Sequence, residues 1–330
     1  MAGESSLTRT YESLLTHTLE KVLASGEIQD QIYDSTPTLD WMNSSGLIKV
    51  VDGSERIRIP IMHEKNGTFQ WYSGYETYDV TPQEGFTTAW YLWKQAATTV
   101  AINGLELRSN RGSAAIADLL KSKIRQAKMS MADGLASGIF SDGTGSSNKQ
   151  LTGLAAAIDA SPATTAYASI DPATNAAWQN KADADGGATA TVLVSKLKSV
   201  FNQCSLGSAS VTSRPDRLVT TRAIHEAAES LITPRVRFAP NPSGGADLGV
   251  EELIFKGAPL VWDEYCTSGT VYLLNSNHMH FFVHAQANMA MTEEGFQKPI
   301  DQDALSAAIL FMGNLAVNNR RKLGIINGLT

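Results

Sequence analysis

Histidine is the residue type of this sequence best suited to chemistry, because three of its six histidines lie within one seven-residue stretch. His278, His280 and His284 stand at even spacing, so on a strand their side chains would share one face and could bind zinc. The segment around them is otherwise apolar and has no carboxylate or cysteine close by. We therefore interpret these histidines as structural and predict no metal site.

The other reactive residue types also lack a productive arrangement. His225 and Glu226 are adjacent but are not followed by the second histidine of an HExxH motif. Cys204 and Cys266 lie 62 positions apart and form no CxxC motif, which excludes a zinc ribbon and a disulfide framework. We predict no catalytic residue and no enzymatic activity.

One glycine-rich segment, GTGSS (143–147), deserves comparison with the loops that bind phosphate. Such a loop follows a strand, opens a helix and carries a lysine after its last glycine. This segment follows a predicted helix and has serine after its last glycine. We interpret it as the exit from that helix, and we predict no cofactor.

Composition narrows the class of protein further. Charged residues make up 18% of the 330 residues and the net charge is -6, which excludes a nucleic-acid binder with a strongly basic surface. So few charges predict a surface largely covered by permanent contacts. The N-terminus lacks the apolar core of a signal peptide, and the longest apolar stretch (307–317) is too short to span a bilayer. We expect a chain that folds in the cytosol and has no membrane partner.

The most unusual segment is a long aromatic hairpin over roughly 55–100. RIRIPI (56–61) alternates like a strand, and 86–102 is rich in threonine, valine and aromatic residues, so the two predict a pair of strands. The aromatic residues of the hairpin form either core or a docking surface, and the interrupting glycines and proline favour docking. The candidate docking residues are Phe69, Trp71, Tyr72, Tyr75, Tyr78, Phe86, Trp90, Tyr91 and Trp93.

A long helix is predicted after the hairpin, from Gly112 to Phe140. Its apolar residues recur every three or four positions on one stripe. Three basic residues, Lys121, Arg125 and Lys128, share a second face. This face is either a solvated surface or a surface for nucleic acid.

The rest of the chain predicts an N-terminal helix over 8–24, a turn followed by an apolar anchor at 36–42 and an ordered, alanine-rich loop region over 151–190. Residues 189–284 alternate between helix and strand patterns. The chain closes with a β-rich segment over 303–327.

The order of these pieces resembles a tailed-bacteriophage major capsid protein with the Hong Kong ninety-seven fold. That order is an arm, an aromatic hairpin, a long spine helix, an α/β region and a returning β segment. The resemblance spans nearly the whole chain and is carried by several short motifs. They are TPTLDWM and LIKVVDGSERIRIPI, QWYSGYETYDVTP, TTAWYLWKQAATTVAINGLE (87–106), SDGTGSSNKQLTGL (141–154), IDPATNAAWQNK (170–181) and FMGNLAVNNRRKLGIING (311–328).

The resemblance implies an α+β fold with four parts. An N-terminal arm (1–40) precedes a peripheral domain that contains the spine helix and comprises 41–51, 100–150 and 286–330. An extended loop (52–99) would lie on the adjacent subunit, so the nine aromatic residues become inter-subunit residues. An α/β axial domain (151–285) would meet its copies at the centres of hexamers and pentamers.

The resemblance also implies a function and partners. The chain would self-assemble into an icosahedral head around packaged double-stranded DNA, with Lys121, Arg125 and Lys128 facing that DNA. Because the sequence starts at the arm, a separate scaffolding protein is expected, with a portal and a possible cement protein. The expected location is the virion, and the host cytoplasm during assembly. Two alternatives are a soluble α+β enzyme that uses 190–285 and another phage component such as a portal.

Overall fold

The computed structural model describes residues 37–109, 113–184, 187, 189–205, 213–232, 253–292, 295–299 and 302–330. The predicted N-terminal helix (8–24) and nearly all of the predicted arm lie outside the described residues.

The described elements are mostly short helices and strands, with one long helix among them. The helices are α1 (Pro37–Ser44), α2 (Gly104–Ser109), α3 (Ser113–Ile139), α4 (Leu154–Ala157), α5 (Thr189–Ser205) and α6 (Arg222–Ile232). The first strands are β1 (Ile48–Val51), β2 (Arg56–Met62), β3 (Phe86–Leu92), β4 (Lys94–Asn103), β5 (Lys181–Asp183) and β6 (Arg217–Thr220). The remaining strands are β7 (Leu253–Phe255), β8 (Ala258–Trp262), β9 (Val271–Leu274), β10 (Met279–His284), β11 (Ala290–Met291), β12 (Ala304–Val317) and β13 (Gly324–Ile326). No helix among the described residues is long and apolar enough to cross a bilayer.

The spine helix predicted over 112–140 is confirmed as α3. Its apolar stripe is buried at Ala127, Met131, Leu135 and Ile139 and half-buried at Ile124. Burial of one stripe is what stabilises a helix of this length, because helix propensity alone contributes little.

The start of the described chain corrects one prediction. Residues 36–42 were expected to form a turn followed by an apolar anchor, but a helix, α1, begins at Pro37 and carries the buried Met42 as that anchor. Proline is favoured at the first helical position, where its missing N–H costs no hydrogen bond. Thr38 and Met42, one turn apart, are both buried. Tertiary contact therefore selects a helix where the proline alone suggested a turn.

The described residues form two compact units, which we take one at a time. The smaller unit comprises 95–135 and 284–312 among the described residues. In it, β12 pairs antiparallel with β11, placing Ala290 opposite Leu310, and also pairs with β4. The predicted β-rich C-terminal segment is confirmed by the 14-residue β12.

The larger unit comprises 37–94, 136–283 and 313–330. Its six-stranded mixed sheet has the order β5-β13-β9-β6-β8-β7. Helices α5 and α6 pack on this sheet, and their apolar residues share one core cluster with Leu218, Leu260 and Leu273. The alternating helix and strand pattern predicted over 189–284 is confirmed. The four predicted domain boundaries remain predictions.

The alanine-rich region of the larger unit is ordered, as predicted. Its two large aromatic residues, Tyr167 and Trp178, are buried and stack with ring centroids 6.4 Å apart. The Trp178 indole N–H donates to the Tyr167 carbonyl at 3.1 Å. Two buried rings of this size hold an irregular segment in place without regular secondary structure.

Candidate assembly surfaces

The aromatic hairpin is confirmed as a two-stranded ribbon with a long loop. Strands β2 and β3 pair antiparallel from Arg56 opposite Leu92 to Met62 opposite Phe86. Between them, residues 63–85 leave the ribbon, and every residue from 69 to 84 is exposed. We call 69–84 the loop tip.

Short polar turns, rather than core contacts, shape the loop. The Asn66 carboxamide oxygen accepts hydrogen bonds from the backbone N–H and the hydroxyl of Thr68. The Asp79 carboxylate accepts the same two hydrogen bonds from Thr81. Thr81 thereby lowers the pKa of Asp79. The Gln70 side chain reaches across the loop and donates to the Thr77 carbonyl at 3.1 Å. These turns use local polar groups and leave the aromatic rings outside.

Six of the nine predicted docking residues are strongly exposed. Their exposed fractions range from 59% to 106%. Two pairs form edge-to-face contacts on the surface, Phe69 with Trp71 at 5.6 Å and Tyr72 with Tyr78 at 5.0 Å. The six residues are Phe69, Trp71, Tyr72, Tyr75, Tyr78 and Phe86. They are brought together on one loop and its edge, as the sequence predicted.

Trp90 and Trp93 are intermediate cases. Trp90 is 37% exposed and lies under two guanidinium groups, with Arg58 at 4.8 Å and Arg56 at 5.2 Å from its ring centroid. Arg58 is its direct partner across the ribbon. The Trp93 indole donates to the Ser54 carbonyl at 2.8 Å. Both rings therefore already have contacts within their own chain.

Tyr91 corrects the predicted docking set. Only 3% of it is exposed, and its hydroxyl donates to the Val317 carbonyl at 2.7 Å. Its ring contacts the Tyr167 ring edge-to-face at 5.6 Å. Burial raises the pKa of Tyr91. Because strand side chains alternate between faces, Tyr91 points into the larger unit while its neighbour Trp90 points outward. Tyr91 is a core residue rather than a docking residue.

Sequence analysis missed the residue that organises this part of the core, Arg320. It is fully buried, and its guanidinium lies 5.0 Å from the Tyr167 ring centroid. Its Nε donates to the Ala157 carbonyl at 2.7 Å and its Nη2 to Asn180 Oδ1 at 3.3 Å. Burial lowers the pKa of Arg320. The only sequence signal was a basic run in which nothing distinguishes Arg320 from Arg321.

The basic helix face is confirmed as exposed. Lys121, Arg125 and Lys128 are all solvent-exposed on α3. Lys123 lies on another face, and its ammonium group contacts Glu106 Oε2 at 2.7 Å with both side chains largely buried.

The three histidines do not all lie on one strand face, because only His280 and His284 belong to β10. His278 belongs to a 3-10 turn before β10, and its Nδ1 lies 2.9 Å from Asn318 Oδ1. His280 Nε2 lies 3.4 Å from the Lys49 ammonium, and burial lowers the pKa of His280. Within the described ranges, no group of three or more histidine, cysteine or acidic residues could hold a metal ion. Burial also raises the pKa of both Cys204 and Cys266 to about 12.

Comparisons with known proteins find relatives by structure only. No family model and no curated sequence matches the chain. A chain of the cyanophage A-1(L) capsid asymmetric unit is similar with a TM-score of 0.65 and 15% identity, over 92% of this chain and 95% of that one. A chain from the capsid of a native GTA particle has a TM-score of 0.61 and 12% identity, over 92% and 94%.

A third similar structure is the holo-SrpI encapsulin complex from Synechococcus elongatus PCC 7942. Its TM-score is 0.55 at 14% identity, and the match covers 94% of each chain. All three matches include more than nine-tenths of both chains, so they describe the whole architecture rather than one shared motif. The chain therefore has the α+β fold of tailed-phage capsid proteins, the Hong Kong ninety-seven fold.

Proposed function

We propose that this chain is the major capsid protein of a tailed phage and self-assembles into the icosahedral head shell that encloses double-stranded DNA. The observation that carries the proposal is the match of the whole chain to subunits of closed shells, at TM-scores of 0.55 to 0.65. Shell subunits are structural proteins, and we propose no enzymatic role for this chain.

The exposed loop supports self-assembly independently of the comparisons. Phe69, Trp71, Tyr75 and Phe86 are each at least 76% exposed. A two-stranded ribbon has no interior in which to bury such side chains. Soluble monomers rarely expose contiguous apolar patches of this kind, whereas interfaces are enriched in tyrosine and tryptophan. The loop is therefore suited to lie on an adjacent subunit.

The proposal gives each part of the chain a place in the shell. In this proposal, residues 1–40 would be the arm and 52–99 would be the extended loop. Residues 41–51, 100–150 and 286–330 form the peripheral domain. Residues 151–285 form the axial domain, which meets its copies in hexamers and pentamers. A scaffolding protein, a portal and a cement protein are the proposed partners, in the virion and earlier in the host cytoplasm.

Negative-stain microscopy and light scattering of the purified chain test this function directly. We expect closed shells, or five- and sixfold capsomers that close when a scaffolding protein is supplied. A single ring type of fixed copy number would indicate a portal instead. A monomer that stays monomeric at high concentration would contradict self-assembly. Closed shells from which DNA is absent after phage infection would contradict the phage head and favour an encapsulin-like shell.

The basic helix face is the proposed contact for DNA. Lys121, Arg125 and Lys128 are exposed together on α3, and such a cluster can contact phosphates without reading sequence. One subunit would bind weakly, but many copies in a closed shell add their contributions.

Changing all three basic residues to glutamine tests the DNA contact. We expect normal shells with weaker DNA retention and a shallower dependence of retention on salt, because each lost cation removes a phosphate contact and the counterion release that goes with it. Nuclease protection and particle stability over a salt series measure this effect. The matched control is Lys198→Gln, which removes an exposed charge from α5. A triple variant that fails to assemble, while the control assembles, would show that the face packs against protein.

A further inference from the structure

The sequence contains three Asn-Gly steps, and all three lie among the described residues. At such a step the backbone nitrogen of the glycine can attack the carboxamide carbon of the asparagine, because glycine has no Cβ to hinder the approach. The attack needs no enzyme, so the surroundings of each step decide how fast it proceeds. The three steps are Asn66-Gly67, Asn103-Gly104 and Asn327-Gly328.

The attacking nitrogen of the first step is weakly held. Asn66 and Gly67 are both exposed, and Gly67 lies in a turn. The Gly67 N–H contacts Gln83 Oε1 at 3.4 Å, which is longer than a usual N–H···O hydrogen bond. Gln83 is itself exposed, so its side chain is free to turn away. The Gly67 nitrogen can therefore lose its proton to water and attack.

The carboxamide of Asn66 is polarised toward attack. Its Oδ1 accepts a hydrogen bond from the Thr68 backbone N–H at 2.9 Å and another from the Thr68 hydroxyl at 2.6 Å. Attack at Asn66 Cγ places negative charge on that oxygen. Two donors that already point at the oxygen stabilise this charge, as an oxyanion hole does.

The other two steps are held by the fold. Gly104 is the first residue of α2, and its N–H donates to the Asp303 carbonyl at 2.7 Å. Asn327 follows β13, and its N–H donates to the Asp183 carbonyl at 3.0 Å. The Gly328 N–H donates to Asn327 Oδ1 at 2.7 Å. Short hydrogen bonds hold the protons that the attacking nitrogens must lose.

We propose that Asn66-Gly67 is a site of spontaneous self-modification, assisted by Thr68, at which Asn66 becomes aspartate or isoaspartate. The Gly67 nitrogen gives its proton to water and forms a bond to Asn66 Cγ. The bond from Cγ to the side-chain nitrogen breaks, and that nitrogen takes up a proton and leaves as ammonia. Water then opens the cyclic imide at either of its carbonyls. The net reaction consumes water, releases ammonia and involves no oxidant or reductant.

The modification changes both the charge and the backbone of the extended loop. Residues 66–85 contain three acidic residues, Glu76, Asp79 and Glu84, and no basic residue. A carboxylate at position 66 therefore adds to a segment that is already negative. Isoaspartate also places Cβ of residue 66 in the backbone, which moves the carboxylate out of its place in the turn with Thr68.

Peptide mapping by mass spectrometry measures conversion at all three steps in one sample. The sample is the full chain in neutral buffer, kept too dilute to assemble. We expect Asn66 to convert at least about tenfold faster than Asn103 or Asn327, which corresponds to about 1.4 kcal/mol in the barrier. In urea the three rates should converge, because the unfolded chain offers each step the same surroundings. Equal rates in the folded chain would overturn the proposal, as would a difference that persists in urea.

A variant at position 67 tests the approach of the nitrogen. The Cβ of Gly67→Ala would meet Gln83 Oε1 at 3.4 Å, an ordinary contact, so the loop can keep its conformation. We expect conversion of Asn66 to slow by about tenfold or more, because the added methyl group hinders the attack. Conversion at the parental rate would overturn the proposal.

Variants at position 68 test the assistance by the hydroxyl. Thr68→Val removes the hydroxyl donor and keeps a side chain of similar shape, and we expect conversion to slow by about threefold or more. The matched control Thr68→Ser keeps the hydroxyl and should convert at nearly the parental rate. A Thr68→Val chain that converts as fast as the parent, or faster, would overturn the proposal.

Folding and assembly are controlled separately. Thermal unfolding of each variant reports whether the subunit is intact. If Gly67→Ala prevents folding, Asn66→Gln replaces it and should also stop conversion, because its longer side chain closes a larger and less favoured ring. The chemistry at Asn66 takes place within one subunit. A chain that forms no shells therefore refutes the proposed function alone, and a stable Asn66 in a chain that assembles refutes this inference alone.

Discussion

The two ends of β3 carry the same kinds of side chain in opposite environments. Near the loop tip, Trp71 is 90% exposed and Phe86 78%. Five residues after Phe86, Tyr91 is 3% exposed and hydrogen-bonded to the Val317 carbonyl. Residue type therefore does not distinguish a core aromatic from an exposed aromatic in this hairpin. What distinguishes them is whether other parts of the chain reach the strand.

At the root of the hairpin, which is the end of β3 at residues 90–92, the hydrogen-bond partners come from segments distant in sequence. The Trp90 backbone N–H donates to the Ala168 carbonyl at 3.0 Å. The Asn314 carboxamide donates to the Leu92 carbonyl at 2.8 Å and accepts from the Thr152 N–H at 3.0 Å. These contacts fix the root of the hairpin to the larger unit. The tip has only the local turns described above, so within one subunit its aromatic side chains stay exposed.

Removing the tip aromatics should have the largest effect on assembly. Replacing Trp71, Tyr72 and Tyr75 with serine removes three exposed anchors, and interface anchors of this type are often worth 2 kcal/mol or more each. We expect closed shells to disappear while circular dichroism and the unfolding temperature stay unchanged. If this triple variant lost cooperative unfolding, the tip aromatics would be part of the subunit core, and tip and root would not differ in the way described above.

Truncating the root aromatic should have the opposite signature. Tyr91→Ala leaves a cavity beside Tyr167 and removes the bond to Val317, and we expect a loss of about 3–5 kcal/mol in the free energy of unfolding. The matched control Tyr91→Phe keeps the ring and should cost only about 1–3 kcal/mol, because the Val317 carbonyl loses its donor. Urea unfolding measures both. If the Tyr91→Ala subunit had the stability of the parent but failed to assemble, Tyr91 would be an inter-subunit docking residue, as first predicted.

The smallest effect is expected at Trp90, whose exposure lies between that of the tip aromatics and that of Tyr91. Trp90→Leu removes the contacts with Arg56 and Arg58, which at a partly exposed site are worth about 0.5–1 kcal/mol. We therefore expect a small loss of stability together with a partial loss of assembled particles. Pairing it with Arg58→Gln in a double-mutant cycle measures the coupling. If the Trp90→Leu variant kept the stability of the parent, Trp90 would resemble the tip aromatics, which contribute nothing to the stability of their own subunit.

Much of the candidate surface was predictable because periodicity is a local property. The alternation in RIRIPI predicted β2, and the three-to-four-residue apolar spacing predicted α3 with its basic face on the outside. Exposure of six of the nine hairpin aromatics also followed from local sequence, since a ribbon interrupted by glycine and proline offers no core.

Other outcomes depended on segments far apart in the chain. Burial of Tyr91 requires Val317, which lies 226 residues away, and burial of Arg320 requires the Ala157 carbonyl 163 residues away. No short window of sequence contains both Arg320 and Ala157, so local sequence does not distinguish the buried Arg320 from its exposed neighbour Arg321. Local sequence determined most of the elements, with the exception of α1, and which face of each is apolar. Only the tertiary structure decided which of those faces the chain covers itself, because burial is set by what packs nearby in space.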